Sequence, residues 1–338
     1  MRFVRPAALV LAAVALAFAA GAAGRAETNE VRISKGFGLT YLSLYVMQHQ
    51  KLLEKHAAAG GLGEIKVSWP TIDGGNLIND AMLAGTLDIA GIGVSGFLTI
   101  WAKTKGQPRY EVGALSALGA TSLYLNTRNP NIRTLRDFTE KDRIAVPGVK
   151  TSLAAFFLQM AVAQEFGIEN YAKLDPLTVG VPYPEATAAM LNGGTEINSH
   201  FASPPFSLLE LKSPAVHRVV NSVDVFGNLT VLVNYSLKRF HDANPKTCAA
   251  FIAALQEADE LIARDRPGAA RIYNELAKVK TSEEETMVVL NDPDSVYTPT
   301  PVGVMKYADF MARTGQIKLR PESWRNVFFP EIHHLPGS

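Results

Sequence analysis

Twice along the chain a short apolar strand runs into a glycine turn, a helix and a further strand, and this recurrence limits the fold more than any other feature. Residues 31–34 form an apolar strand that enters Gly36-Phe37-Gly38, after which Leu42, Tyr45, Val46, His49, Leu52 and Leu53 recur at helical spacing. Ile65, Val67 and Trp69 then alternate as in a half-buried strand, and Asp73-Gly74-Gly75 makes a turn. Asn76 is placed to cap a helix carrying Leu77, Ile78, Ala81 and Met82, which Gly85 closes before a third strand over residues 87–92. The same order returns in mid-chain: a strand at 144–146, a turn at 148–152, and a helix marked by Leu153, Phe156, Phe157 and Met160 and closed by Gly167. A strand at 177–181, a helix at 184–191 and a strand at 197–199 complete it. A βαβαβ order with short connections predicts a parallel sheet covered by helices, here twice.

The two units also share residues. In 81–89 and 189–197 Ala, Met, Leu, Gly and Ile stand at a constant offset, with Asp88 matched by Glu196. Duplication and chance likeness of helix ends both produce such a match. Apolar extended segments at 123–126 and 229–234 flank the middle unit and read as strands crossing between two lobes. The expected division is a leader over 1–26, lobe I over 27–121 with 235–338, and lobe II over 122–234. Helices expected at 245–263, 267–277, 282–290 and 305–314 pack mainly on lobe I.

The leader reading rests on Arg2 and Arg5 ahead of an unbroken apolar run at 7–20, with Gly24 and Ala26 following. That run is short of the roughly 20 residues a bilayer core requires, so it reads as a secretory signal peptide cut after Ala26 rather than an anchor helix. Cleavage removes three arginines and no acid, leaving 30 basic against 32 acidic side chains. The mature chain is then a nearly neutral, exported protein without a lipid anchor. No strip of basic residues is available to neutralise phosphates, so nucleic acid is excluded as a partner. The single cysteine, Cys248, excludes a disulfide within the chain and multi-cysteine metal sites and reads as a small buried residue. No metal or cofactor is expected.

The stretch from Val31 to Trp101 carries the apolar strand, the glycine turn, a helix ending Gln50-Lys51-Leu52-Leu53-Glu54-Lys55-His56, and Gly85-Thr86-Leu87-Asp88-Ile89-Ala90-Gly91. With Thr134-Leu135-Arg136-Asp137-Phe138 leading into Ile144-Ala145-Val146-Pro147-Gly148, it resembles the periplasmic substrate-binding proteins of the nitrate, sulfonate and taurine class of ABC importers. The likeness covers roughly residues 30–250. It implies an α/β, two-lobed periplasmic-binding-protein-like clamp, each lobe a mostly parallel sheet flanked by helices, joined by two crossing strands. It further implies a monomeric binder that closes on a small organic ligand and delivers it to an inner-membrane ABC permease driven by a cytoplasmic ATPase.

In open α/β sheets ligands lie beyond the carboxyl ends of the strands, beside helix N-termini that favour anions. That places the loops at 36–41, 73–76 and 93–97 against those at 148–152, 183–185 and 198–201. Thr40, Asn76, Ser95, Thr151 and Ser152 supply donors there, and each also reads as a plain helix cap. Phe37, Tyr41, Phe97, Tyr183 and Phe201 supply flat walls for an organic anion, or pack in the core. His200 either donates to the anion or is a capped or surface histidine. No arginine falls in these loops, leaving Lys35, Lys150 and His200 as the nearest cations.

Other chemistries fit less well. Gly91-Ile92-Gly93-Val94-Ser95-Gly96 has the spacing of a dinucleotide fingerprint but follows the third strand, and Gly148-Val149-Lys150-Thr151 lacks the earlier glycine of a P-loop. His333-His334 reads as a solvated end. An enzyme of this fold acting on a pyrimidine precursor would bring a cysteine-rich segment that Cys248 alone does not provide, and no hydrolase motif is present. A ligand-sensing protein without transport shares the clamp and stays the other alternative.

Overall fold

A computed structural model describes residues 27–277 and 281–338; the expected signal peptide lies outside the described residues. The chain opens with strand β1 (Glu30–Ser34), helices α1 (Leu42–Gln50) and α2 (Leu52–Ala59), and strand β2 (Lys66–Ser68). Lys51 breaks the expected single helix in two by taking a left-handed φ of 52°. Helix α3 (Gly75–Ala84), strand β3 (Ile89–Gly93), helix α4 (Val94–Thr104) and strand β4 (Val112–Ala120) follow. Gly74, not Asn76, stands at the N-cap of α3 and no side chain caps it, so Asn76 lies within the first turn. The glycine-rich stretch at 93–97, expected to be a loop, is the first turn of α4, which leaves β3 without an intervening turn.

The middle unit contains β5 (Tyr124–Thr127), β6 (Ile144–Val146), α5 (Leu153–Phe166), β7 (Thr178–Gly180), α6 (Tyr183–Asn192) and β8 (Ser199–Ala202). It ends with α7 (Phe206–Glu210), β9 (His217–Asn221) and α8 (Ser222–Phe226). The third strand of this unit starts at Ser199, where the expectation ended it. The chain returns through β10 (Thr230–Leu237), α9 (Lys238–Ala243), α10 (Pro245–Arg264) and α11 (Arg266–Ala277), and closes with α12 (Glu283–Leu290) and α13 (Val304–Arg313).

Two five-stranded sheets result, ordered β2-β1-β3-β10-β4 and β7-β6-β8-β5-β9. In the first, β1 is parallel to β2 and β3, and β10 is antiparallel to both β3 and β4. The second repeats the pattern: β6 is parallel to β7 and β8, and β5 is antiparallel to β8 and β9. Each lobe thus takes its fourth strand from a segment that has just crossed from the other. The chain passes from the first sheet to the second over residues 121–123, between β4 and β5. The return crossing does not stand where it was expected: β10 is buried along its whole length between β3 and β4, so the boundary expected after 234 cuts through a first-sheet strand.

The duplicated junction has a physical counterpart. Helices α3 and α6 both stop at positive-φ glycines, Gly85 (74°) and Gly193 (67°), and both bury the matched methionines, Met82 and Met190. One apolar cluster runs through both lobes. At the crossings, Tyr307 of α13 donates its hydroxyl to the Thr230 carbonyl at 2.8 Å, while Phe156 of α5 stacks on Tyr307 and meets Phe310 edge-on, each with centroids 5.3 Å apart. Cys248 is buried in α10, as expected, and burial pushes its thiol up.

Candidate functional site

Between the lobes, at the carboxyl ends of the first strands of both sheets, lies a narrow cavity of about 50 Å³. Lobe I brings Phe37, Thr40 and Tyr41 from the segment after β1, Asp73-Gly74-Gly75 from the turn into α3, and Ile78, Ile92 and Gly93. Lobe II brings Pro147, Thr151, Ser152 and Leu153 from the turn into α5, Tyr183 from the start of α6, and Ser203 after β8.

The lobes meet here through glycines. A methyl group on Gly75 would stand 2.7 Å from the Thr151 carbonyl oxygen, one on Gly93 2.9 Å from Leu153 Cβ, and one on Gly74 3.1 Å from the Pro147 carbonyl oxygen. The absent side chains let the two backbones close to contact, and Thr151 Oγ1 reaches Asn76 Oδ1 at 3.4 Å across the seam. The dinucleotide-like glycines serve this packing too: Gly91 lies under the Tyr41 ring and Gly96 over Ile92.

Six of the expected residues line the cavity: Phe37, Thr40, Tyr41, Thr151, Ser152 and Tyr183. Ser152 is at the same time the N-cap of α5, its Oγ accepting from the Ala155 N–H at 3.2 Å. Asn76 sits at the seam beside the cavity rather than in its wall. Ser95 and Phe97 depart from expectation because their segment is helical: Ser95 is buried in α4, and Phe97 is fully buried, 5.7 Å from the Tyr235 ring and 6.3 Å from that of Phe328. Phe201 is a core residue of β8. His200 is not a surface group, and its Nε2 is buried without a hydrogen-bond partner among the described residues. Its Nδ1 pairs with Glu210 Oε1 at 2.5 Å, both side chains wholly buried, and its ring lies 5.5 Å behind that of Tyr183.

The residue that sequence reasoning passed over is Asp73. Its carboxylate lines the cavity, and its Oδ2 is shut off from solvent and takes no hydrogen bond among the described residues. Burial raises its pKa to about 6, against the pull of the Tyr183 and Gly74 backbone N–H groups and of His200. Across the cavity Ser203 Oγ is likewise buried without a partner among the described residues. Tyr41 and Tyr183 have their phenols pushed up chiefly by burial and further by Asp73. Lys35, which follows β1, places its Nζ 4.5 Å over the Tyr45 ring, and burial lowers its pKa to about 8. Behind the loop, Tyr297 donates to the Leu39 carbonyl at 3.0 Å, and Tyr45 to that of Gly36 at 3.3 Å, which fixes the cavity wall from lobe I.

A two-lobed frame with a cleft at the strand ends defines the fold of the periplasmic binding proteins. The chain superposes on the alkanesulfonate-binding protein SsuA from Xanthomonas axonopodis pv. citri, solved with MOPS bound, with a TM-score of 0.67 and 19% identity over 88% of this chain and 96% of that one. A Candida albicans protein described as having the generic periplasmic binding protein fold matches at a TM-score of 0.68 and 12% identity, over 87% of this chain and 93% of that one. The nitrate-binding protein NrtA from Synechocystis PCC 6803 matches at 0.61 and 15% identity, over 77% of this chain and 69% of that one. No family model and no curated protein sequence matches the chain. The fold expected from the sequence is therefore the one observed. No helix among the described residues is long and apolar enough to cross a membrane.

Proposed function

We propose that this protein is the periplasmic solute-binding component of an ABC importer, which captures a small organic solute between its lobes and delivers it to a membrane permease driven by a cytoplasmic ATPase. The observation that carries the reading is the interlobe cavity, walled by both lobes and closed over a glycine seam. A solute there gains contacts to both lobes only when they close, so binding and closure are coupled. The SsuA and NrtA structures, whose names say they bind sulfonates and nitrate, support a transport binder over an enzyme or a sensor. The rims of both lobes, which move relative to one another on closure, would form the permease-docking face.

The aromatic walls favour an organic solute over a bare ion. An anionic head group, the expectation from helix N-termini, has support from the start of α6 but meets a carboxylate there. The test is uptake: deleting the gene should abolish import of at least one small organic solute, and restoring the chain should recover it. Unchanged uptake across a broad panel of radiolabelled solutes removes the transport reading. Native mass spectrometry of the freshly purified protein identifies any retained solute.

A further inference from the structure

We infer that the cavity selects a solute bearing a cationic or hydrogen-bond-donating nitrogen, an amine, amidine or amino-substituted ring, which Asp73 receives between the faces of Tyr41, Tyr183 and Phe37. The inference rests on the binding function proposed above and fixes the charge of its solute. A buried carboxylate oxygen without a partner is costly, and a partner supplied by the solute removes that cost. Asp73 Oδ2 is such an oxygen, and it lines the cavity. Ser203 Oγ, on the opposite lobe beside the Tyr183 phenol, has no partner among the described residues and can accept from the same group or a neighbouring one.

The start of α6, which an anion would use, shares the cavity wall with the Asp73 carboxylate. The backbone N–H groups of Tyr183 and Gly74 pull the Asp73 pKa down against its burial. At the other helix start Ser152 Oγ accepts from the Ala155 N–H and keeps its own O–H, while Thr151 Oγ1 is turned to Asn76. Among the described residues no lysine or arginine lines the cavity. An anion there meets a carboxylate beside the rings of Phe37, Tyr41 and Tyr183 with no lysine or arginine in the wall, whereas a cation finds the carboxylate favourable. The titratable groups facing Asp73 are Tyr41, Tyr45, Tyr183 and His200; His200 is held by Glu210 through Nδ1, while its Nε2 has no partner among the described residues.

Three probes of one shape decide the matter: benzamidine, benzoate and benzenesulfonate, titrated calorimetrically into the processed, full-length mature protein. Benzamidine should bind saturably, and its affinity should fall as pH drops below about 6, where Asp73 takes up its proton. Asp73→Asn should weaken benzamidine by roughly tenfold or more, the loss of about 1.4 kcal/mol or more from one charge-assisted hydrogen bond, without lowering the melting temperature. Ser203→Ala provides a second variant, expected to weaken the same probe to a smaller extent. Saturable binding of benzoate or benzenesulfonate with none of benzamidine overturns the inference while upholding the binding function. Failure of all three probes to bind, or benzamidine affinity unchanged in Asp73→Asn, overturns it as well; the uptake experiment alone decides whether the protein is a binder.

Discussion

Each lobe holds an acid beneath the cleft, and the two are treated in opposite ways. In lobe II, Glu210 is wholly buried and saturated: His200 Nδ1 at 2.5 Å, Asn126 Nδ2 at 2.9 Å and the Thr187 hydroxyl at 3.0 Å all contact its carboxylate. In lobe I, Asp73 reaches the cavity with one oxygen unclaimed. Glu210 ties β5, β8, α6 and α7 together, and its charge is consumed in doing so. Asp73 keeps an acceptor for something that is not protein. Two lobes with one strand order thus hold their acids differently: Glu210 braces the lobe II wall, and in the proposed function Asp73 of lobe I meets the solute.

The contrast is broken most directly at Glu210. Glu210→Ala strands a buried imidazole and a hydroxyl and takes one of two acceptors from the Asn126 amide, and should cost about 3–5 kcal/mol, read as a large fall in melting temperature. A melting temperature equal to that of the parent would mean the network does not brace lobe II.

Asp73 should show the reverse sign. Its folded pKa of about 6, like that of Asp259 at about 7 beneath Ser43, is raised above the ordinary 3.8. Their stabilising contribution is full below the unfolded pKa and is lost as pH rises through the folded values, so the ligand-free protein should lose a few kcal/mol between about pH 4 and pH 8. Asp73→Asn should remove the portion centred near its own pKa, and chemical denaturation at a series of pH values measures it. A pH profile identical in parent and variant would place Asp73 in water rather than in the cavity.

The seam sharpens the comparison by altering how the lobes meet without touching either acid. In Gly75→Ala the new methyl would press on the Thr151 carbonyl, so the lobes should stand apart in solution and ligand affinity should drop with the closed population. Small-angle scattering reads this as a larger radius of gyration, and an unchanged radius at unchanged affinity would show that the seam gives way instead. The smallest effect belongs to Ser152→Ala, which removes the α5 cap for about 1 kcal/mol of stability. A loss of affinity without loss of stability would mean that Ser152 serves the solute first.

The fold was legible because its signals are local: glycine turns, period-2 strands and helix closures at Gly85 and Gly193 can be read one segment at a time. What escaped depends on packing. Strand β4, Val-Gly-Ala-Leu-Ser-Ala-Leu-Gly-Ala, has little side chain to mark it and is a strand because β10 pairs along it. The start of α4 was taken for a loop because glycine usually marks one; here Gly93 and Gly96 are small so that lobe II can approach. That error put Ser95 and Phe97 at the cleft. Asp73 read as a turn residue because Asp-Gly-Gly is a turn, and nothing local says that its carboxylate will be enclosed by Tyr41 from the same lobe and Tyr183 from the other.

The insertion of β10 between β3 and β4 also has a consequence for biogenesis. The middle of the first sheet is supplied by residues 230–237, more than a hundred positions after β4 leaves the ribosome. Until that strand arrives, β3 and β4 have an open gap between them, and the amino-terminal third of the chain has no finished core to collapse into. Closing so distant a pairing is slow because the intervening loop must be ordered first. A nascent chain built in this order stays loosely folded during synthesis, which is the state that the proposed export would require.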